Sequence, residues 1–360
     1  MRIGIDTQAL AGKKSGLGIY TDQLVSHLKQ IDRQNEYVLL VNRRKFGERT
    51  YDRLVWENFS LAGEARKEHV GILHTPAFSV PFVKGNWRSV VTIHDLIGII
   101  FPGHLSFPSR CYWAHWLPFV NRRSERIIVD SNCTKQDVIK YLKVDPQKIR
   151  VVHLAASDRF KKSKTSDEIQ MVCAQYGISR PYLLYVGNIE PRKNLVRVLK
   201  AFSELKKKRN IEHQLVLAGS RTWRYPILDH LIQEYGLSKS IKCLNYIDDE
   251  ALISLYNGTE LLVFPSLYEG FGMPILEAMQ CGVPVLTSKL SSIPEVAGDA
   301  AYYVDPYRAE EIEDGIWAVL SDKALSESLR QKGFVQAAKF SWKLTAEKTL
   351  AVYEELKAES

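Results

Sequence analysis

Two carboxylates, Glu269 and Glu277, stand eight positions apart, with Gly270, Phe271, Gly272 and Met273 between them. Residues 261–265 form an apolar run with the length of a buried strand. Residues 266–272 read as a loop. Pro274 then opens a helical pattern, at a place where its missing N–H costs nothing. Gly282 and Pro284 close that pattern, and residues 284–287 read as the next buried strand. A strand–loop–helix unit folds the eight-residue spacing into one place. Backbone N–H groups at a helix N-terminus bind anions and polar hydroxyls. Carboxylates for hydroxyls beside N–H groups for phosphates are what a sugar nucleotide requires. Taken alone, the spacing also describes two solvated glutamates on a parallel-sheet unit.

Other candidate groups lie upstream. Arg192 and Lys193 fall between a predicted strand opening at Pro181 and a helical pattern over 195–202. Cations there can neutralise a leaving diphosphate, or form a solvated basic turn. His94 ends a predicted strand over 89–94, and open parallel sheets bind ligands at strand carboxyl ends. A histidine there can hydrogen-bond a sugar hydroxyl or shuttle a proton; the alternative is a structural pair with Asp95. A Gly-rich loop over 11–18 separates a first strand (2–6) from a helical pattern (20–28), where a phosphate can approach backbone. It is no dinucleotide fingerprint, because Thr21 stands where the third glycine belongs. Asp248 and Asp249 read as a helix cap, and no metal site is expected.

The whole string from Glu269 to Val285, E-G-F-G-M-P-I-L-E-A-M-Q-C-G-V-P-V, resembles the signature of the retaining glycosyltransferases of family 4, with Gln280 and Cys281 varying the small-residue pair. The resemblance covers nearly the whole chain. Gly16 and Gly18 match a small-x-Gly pair beside the donor diphosphate. The H-D-L turn at 94–96 and S-N-C-T-K-Q-D at 131–137 match further segments. The family's V-G-R-x-x-x-x-K-G/N stands as V-G-N-I-E-P-R-K-N, with Asn188 where the first arginine is usual and Arg192 ahead of the lysine. Ile247 falls on the turn that frames the nucleotide base.

This resemblance implies an α/β chain of GT-B fold, with two Rossmann-like doubly wound parallel-sheet domains facing across a cleft. Residues 1–160 would bind acceptor, 161–342 the sugar nucleotide, and 343–360 would be a helix crossing back. It implies that Arg192 and Lys193 hold the diphosphate, Glu269 the sugar hydroxyls and Glu277 the ribose. The loop of Gly270, Phe271, Gly272 and Met273 would orient the sugar, which His94 contacts from the first domain. The leaving phosphate would take the acceptor proton, with no metal and no cofactor beyond the nucleotide-sugar substrate. GDP-mannose is the expected donor, with UDP- and dTDP-sugars as alternatives. A glycan or lipid-linked oligosaccharide of a bacterial surface is the expected acceptor. The rivals are a GT-B epimerase or phosphorylase, and an inactive subunit that binds nucleotides or membranes.

Composition sets the bounds. A chain of 360 residues is long enough for two domains, and 25% charged with 45% apolar residues is ordinary for a globular protein. No run of apolar residues is long enough to span a bilayer, and the start is too polar for a signal peptide. Five scattered cysteines without C-x-x-C spacing point to free thiols, hence the cytoplasm, and away from zinc. The net charge of +8 is uneven: residues 1–164 hold 27 Lys and Arg against 15 Asp and Glu, or +12, which leaves −4 for the remainder. A basic half calls for a polyanionic neighbour. No motif supports nucleic acid. Residues 101–126 interleave aromatics with arginines, which suits a helix resting on anionic lipid at the inner face of the membrane, kinked or shortened by Pro118. The alternative is a buried helix with a basic end. The polar stretch 157–180 reads as the crossing between domains.

Overall fold

The computed structural model describes residues 1–10, 16–42, 55–220, 227–245 and 247–359. Two compact units emerge: Met1–Leu154 together with Ser341–Ser360, and Ala155–Phe340. Each is built on one six-stranded, wholly parallel sheet.

In the first unit the strands are β1 (Arg2–Asp6), β2 (Glu36–Leu40), β3 (Ile72–Thr75), β4 (Arg88–Ile93), β5 (Arg126–Val129) and β6 (Ile149–Val151), in the order β2-β1-β3-β4-β5-β6. β3 is buried along its whole length, as parallel strands covered on both faces must be. The Gly16–Ile31 helix starts four residues before the apolar spacing predicts, so Gly16 and Gly18 lie in its first turn rather than in a loop. The loop residues 11–15 before it lie outside the described residues. Ser131 caps the Asn132–Asp137 helix by accepting from Thr134 N at 3.0 Å. The terminal Trp342–Ala358 helix belongs to this unit.

The aromatic and arginine-rich stretch forms consecutive helical turns, Phe107–Cys111, Tyr112–Trp116 and Leu117–Asn121, the middle one a π-turn. Pro118 stands one residue past that π-turn, in the first turn of the Leu117–Asn121 segment. A wider turn accommodates a ring that cannot donate to the carbonyl four residues back, so the proline neither ends nor shortens the helix. Leu117 and Val120 are buried; Phe107 and Phe119 are exposed. Among the described residues no helix is long and apolar enough to cross a membrane.

In the second unit the strands are β7 (Tyr182–Val186), β8 (Gln214–Ala218), β9 (Ile241–Leu244), β10 (Leu262–Phe264), β11 (Val285–Ser288) and β12 (Tyr302–Val304), in the order β12-β11-β10-β7-β8-β9. The order reverses between β7 and β10, which makes their carboxyl ends the switch point where such sheets bind ligands. The stretch 157–180 is no bare crossing. It carries the Ser166–Tyr176 helix, started by a full capping box in which Thr165 and Glu168 satisfy each other's backbone N–H groups. That box, and a solvent-facing surface, account for its polarity.

Candidate active site

The switch point of the second sheet is where the predicted charges meet. After β7 the chain turns through Pro191–Lys193, and Asn194 takes a left-handed conformation (φ 61°) before the Leu195–Arg209 helix. Asparagine tolerates that region. Its side-chain amide donates to Pro265 O at 3.0 Å and Pro306 O at 2.6 Å, which ties the β7 loop to the ends of β10 and β12. Leu267 N donates to Arg192 O at 2.7 Å. Two loops distant in sequence are thereby held in register.

Glu269 lies between two cations. Lys193 Nζ donates to its Oε1 at 2.7 Å and Arg192 Nη1 to its Oε2 at 3.1 Å. Arg192 also donates to Tyr268 O at 3.1 Å and to Glu190 Oε2 at 2.9 Å. Lys193 and Glu269 are each 6% exposed, and Nζ sits 4.7 Å over the Phe264 ring. Burial alone would raise the Glu269 carboxyl, but Lys193 and Arg192 outweigh it and hold the group below the usual range. Burial pulls the Lys193 ammonium below its ordinary value against the attraction of Glu269. The cluster of Glu190, Arg192, Lys193 and Glu269 thus sums to zero charge. Asn188, at the family's arginine position, is exposed, and the guanidinium that reaches Glu269 is that of Arg192.

The loop beyond Glu269 is pinned by two serines. Glu269 N donates to Ser291 Oγ at 2.9 Å, and Ser292 Oγ donates to the carbonyls of Glu269 and Phe271, each at 2.9 Å. Gly272, at φ 106°, precedes the Met273–Gln280 helix in a conformation that side chains disfavour. Gly270 and Phe271 are buried; Met273 is half-buried at the helix start. Glu277, also half-buried, accepts from Tyr256 OH at 2.9 Å. Burial pushes its carboxyl up to about 7, against the help of Tyr256. Ile247 is half-buried just ahead of Asp248, which caps the Asp249–Gly258 helix by accepting from Ala251 N at 2.8 Å. Its neighbour Tyr246 lies outside the described residues.

His94 belongs to the first unit. It follows β4 as Asp130 follows β5, and Ile93 pairs with Val129, so the register places the two side by side. His94 Nδ1 is 2.7 Å from Asp130 Oδ2, and Nε2 is 3.1 Å from Pro76 O, just past β3. The partner is therefore Asp130 and not the adjacent Asp95, which accepts from Ile97 N instead. Burial disfavours the charged ring, but Asp130 outweighs it and raises His94 above an ordinary histidine. The Tyr20 ring stands 4.6 Å from the imidazole at 80°.

Glu190, Asn194, Ser291, Ser292 and Asp130 carry no signal in spacing alone. Only the lysine–Gly/Asn pair in the motif hints at the left-handed position that Asn194 fills.

Comparison with known proteins gives two family matches. The pattern described as "Glycosyl transferases group 1" fits residues 174–336, and "Glycosyltransferase Family 4" fits residues 16–157. The chain is 32% identical over 284 residues to the O-antigen chain mannosyltransferase B of Escherichia coli, covering 79% of this chain and 74% of that one. It is 32% identical over 282 residues to the serotype-specific mannosyltransferase WbdA of E. coli; there it spans about a third of the relative (34%) and 76% of itself. Among solved structures, a sucrose-phosphate synthase from Thermosynechococcus elongatus superposes with a TM-score of 0.79 at 20% identity, over all of both chains.

Proposed function

The chain belongs to the group 1 glycosyl transferases, family 4, with the GT-B fold, and from that premise we propose that it moves mannose from GDP-mannose, with retention, to a growing surface glycan carried on a lipid. One observation carries this reading: an ionised Glu269 held between Lys193 and Arg192 at the switch point of the second sheet. The relatives named above support the choice of mannose and of a surface glycan.

In the proposed reaction the bond from the sugar anomeric carbon to the diphosphate breaks. A bond from that carbon to the acceptor oxygen forms on the same face, and the acceptor proton passes to the leaving phosphate. Lys193 and Arg192 exchange part of their contact with Glu269 for the diphosphate oxygens and stabilise the charge that develops there. These fixed cations supply what a metal ion supplies elsewhere, so a chelator leaves the rate unchanged. Glu269 accepts from sugar hydroxyls. With both oxygens engaged by cations and its carboxyl held below the usual range, it is a weak base and a weak nucleophile. Glu277 accepts from the ribose hydroxyls, and the helix start at Gly272 and Met273 orients the sugar. Ile247 frames the base, and the Gly16 and Gly18 turn approaches phosphate. His94 donates to a sugar hydroxyl.

Thermal shift against GDP, UDP, dTDP and ADP, each with and without its sugar, tests the donor. GDP and GDP-mannose raise Tm; at one hundred times Kd the gain is about 2.7 kcal/mol. A shift confined to UDP or dTDP overturns the choice of GDP, and no shift with any nucleotide favours an inactive subunit.

A further inference from the structure

Both acceptors around His94 are acceptors only. Asp130 offers a carboxylate oxygen at 2.7 Å and Pro76 a carbonyl at 3.1 Å. An ionised carboxylate and a carbonyl can both be satisfied only if each ring nitrogen carries a hydrogen. Asp130 is 1% exposed, and its second oxygen, Oδ1, has no hydrogen-bond partner. An unpaired buried carboxylate oxygen is costly unless a neighbouring positive charge offsets it.

The surroundings point the same way. On the β3 side, His74 Nε2 lies 2.8 Å from Thr92 Oγ1 and Nδ1 lies 2.6 Å from Tyr353 OH. Thr92 Oγ1 is in turn 3.0 Å from Tyr20 OH. Hydroxyls can serve either role, so a neutral His74 satisfies this chain with one hydrogen. Burial, aided by the charge on His94, pushes His74 down to about 3. From the Gly16–Ile31 helix, Tyr20 faces His94 with its hydroxyl held at Thr92. From the terminal helix, Tyr353 bonds His74 and Trp342 lies 6.0 Å from the Tyr20 ring. Asp95, on the same turn as His94, adds a further negative charge to that of Asp130. Among the described residues, the titratable neighbours named here are anions, a neutral imidazole and phenols.

We infer that Asp130 is a positioning residue for this enzyme: it fixes His94 as a doubly protonated ring that can only donate, which removes His94 from any proton shuttle. The contact of Nε2 with the Pro76 carbonyl is the longer of the two, and the His94 Nε2–H is the one a sugar hydroxyl would take over. That last step rests on the proposed transferase reaction; the charge state does not.

Ring nitrogen NMR of the 15N-histidine-labelled protein, with His94 assigned by His94→Gln, reads the state directly. In the wild type both His94 nitrogens stay protonated at pH 7, with a midpoint above the ordinary value of about 6.5. In Asp130→Asn the midpoint falls at least tenfold in proton affinity. A neutral His94 at pH 7 in the wild type overturns the inference, whether or not Asp130→Asn folds. So does an unchanged midpoint in a folded Asp130→Asn. Kinetics add a readout that packing alone would not move. A fixed donor gives a kcat that is flat from pH 6 upward to the His94 midpoint and falls above it. A kcat that rises through that midpoint marks a shuttle and overturns the inference.

Discussion

The two charged clusters solve opposite problems. Around Glu269 a buried carboxylate is outnumbered by cations, Lys193 and Arg192, so it stays ionised and poorly basic. Around His94 a half-buried imidazole is outnumbered by acceptors, so it stays charged and cannot accept. Both sit at the carboxyl ends of parallel strands, one per sheet. The shared lesson is that the neighbours, not the residue type, decide whether an acid–base side chain is free to move protons. Neither is, which fits a reaction in which the leaving phosphate takes the acceptor proton.

The largest effect in this comparison comes from removing a cation. Lys193→Met leaves Glu269 buried with only Arg192, and loss of one partner from a buried pair costs about 3–5 kcal/mol. Urea denaturation should show that loss. A cost under about 1 kcal/mol would mean that the two cations are interchangeable and the cluster is not tightly balanced.

A smaller effect has a sign set by Glu277. Its folded carboxyl is raised to about 7 by burial, so it contributes stability below the unfolded value and loses it as pH rises through 7. Glu277→Gln removes that loss. The variant should be more stable than the wild type at pH 8 by roughly 1 kcal/mol, less than the full shift implies because the group is half-buried, and the gain should vanish at pH 5. Denaturation at both pH values checks it; a gain that is equal at both would mean that packing, not charge, sets the difference.

The smallest effect separates the two units by surface. Phe82 and Phe119 are exposed in the first unit, with the Arg123 guanidinium 5.5 Å and 5.9 Å from their rings. We propose this patch as the contact with an anionic membrane at the inner face of the cell. Each basic residue near such a surface adds about 1 kcal/mol. Phe119→Ser with Arg123→Gln should weaken sedimentation with anionic vesicles several-fold, whereas Lys200→Gln with Lys207→Gln in the second unit should not. Equal binding to neutral and anionic vesicles would break the distinction.

The two clusters also differ in how far the sequence reveals them. The second sheet's site is nearly contiguous: Arg192 and Lys193 are neighbours, and Glu269 to Glu277 is one strand–loop–helix. Motif reading therefore finds Arg192, Lys193, Glu269 and Glu277, though not Glu190. It misses Asn194, Ser291 and Ser292, because their work is to hold backbone N–H and carbonyl groups and a left-handed turn, which leaves no charge pattern. The first sheet's pair joins residues 36 positions apart through strand register, and proximity in sequence points to Asp95 instead. Parallel strands bring ends together only after the crossovers are made, so Asp130 is invisible until the register is known. The strands themselves were legible as apolar runs. The helix over 107–121 was less so, because its π-turn resolves a proline that sequence rules treat as a break.

The account turns on Glu269 as an ionised acceptor pinned by two cations. Turnover of Glu269→Gln with GDP-mannose, measured beside its affinity for GDP, tests this most directly. Glutamine keeps the shape but loses the charge that the two cations require. The account predicts a fall in turnover of about 10²–10³-fold with GDP still bound. Turnover within threefold of the wild type, with GDP bound equally well, would contradict it.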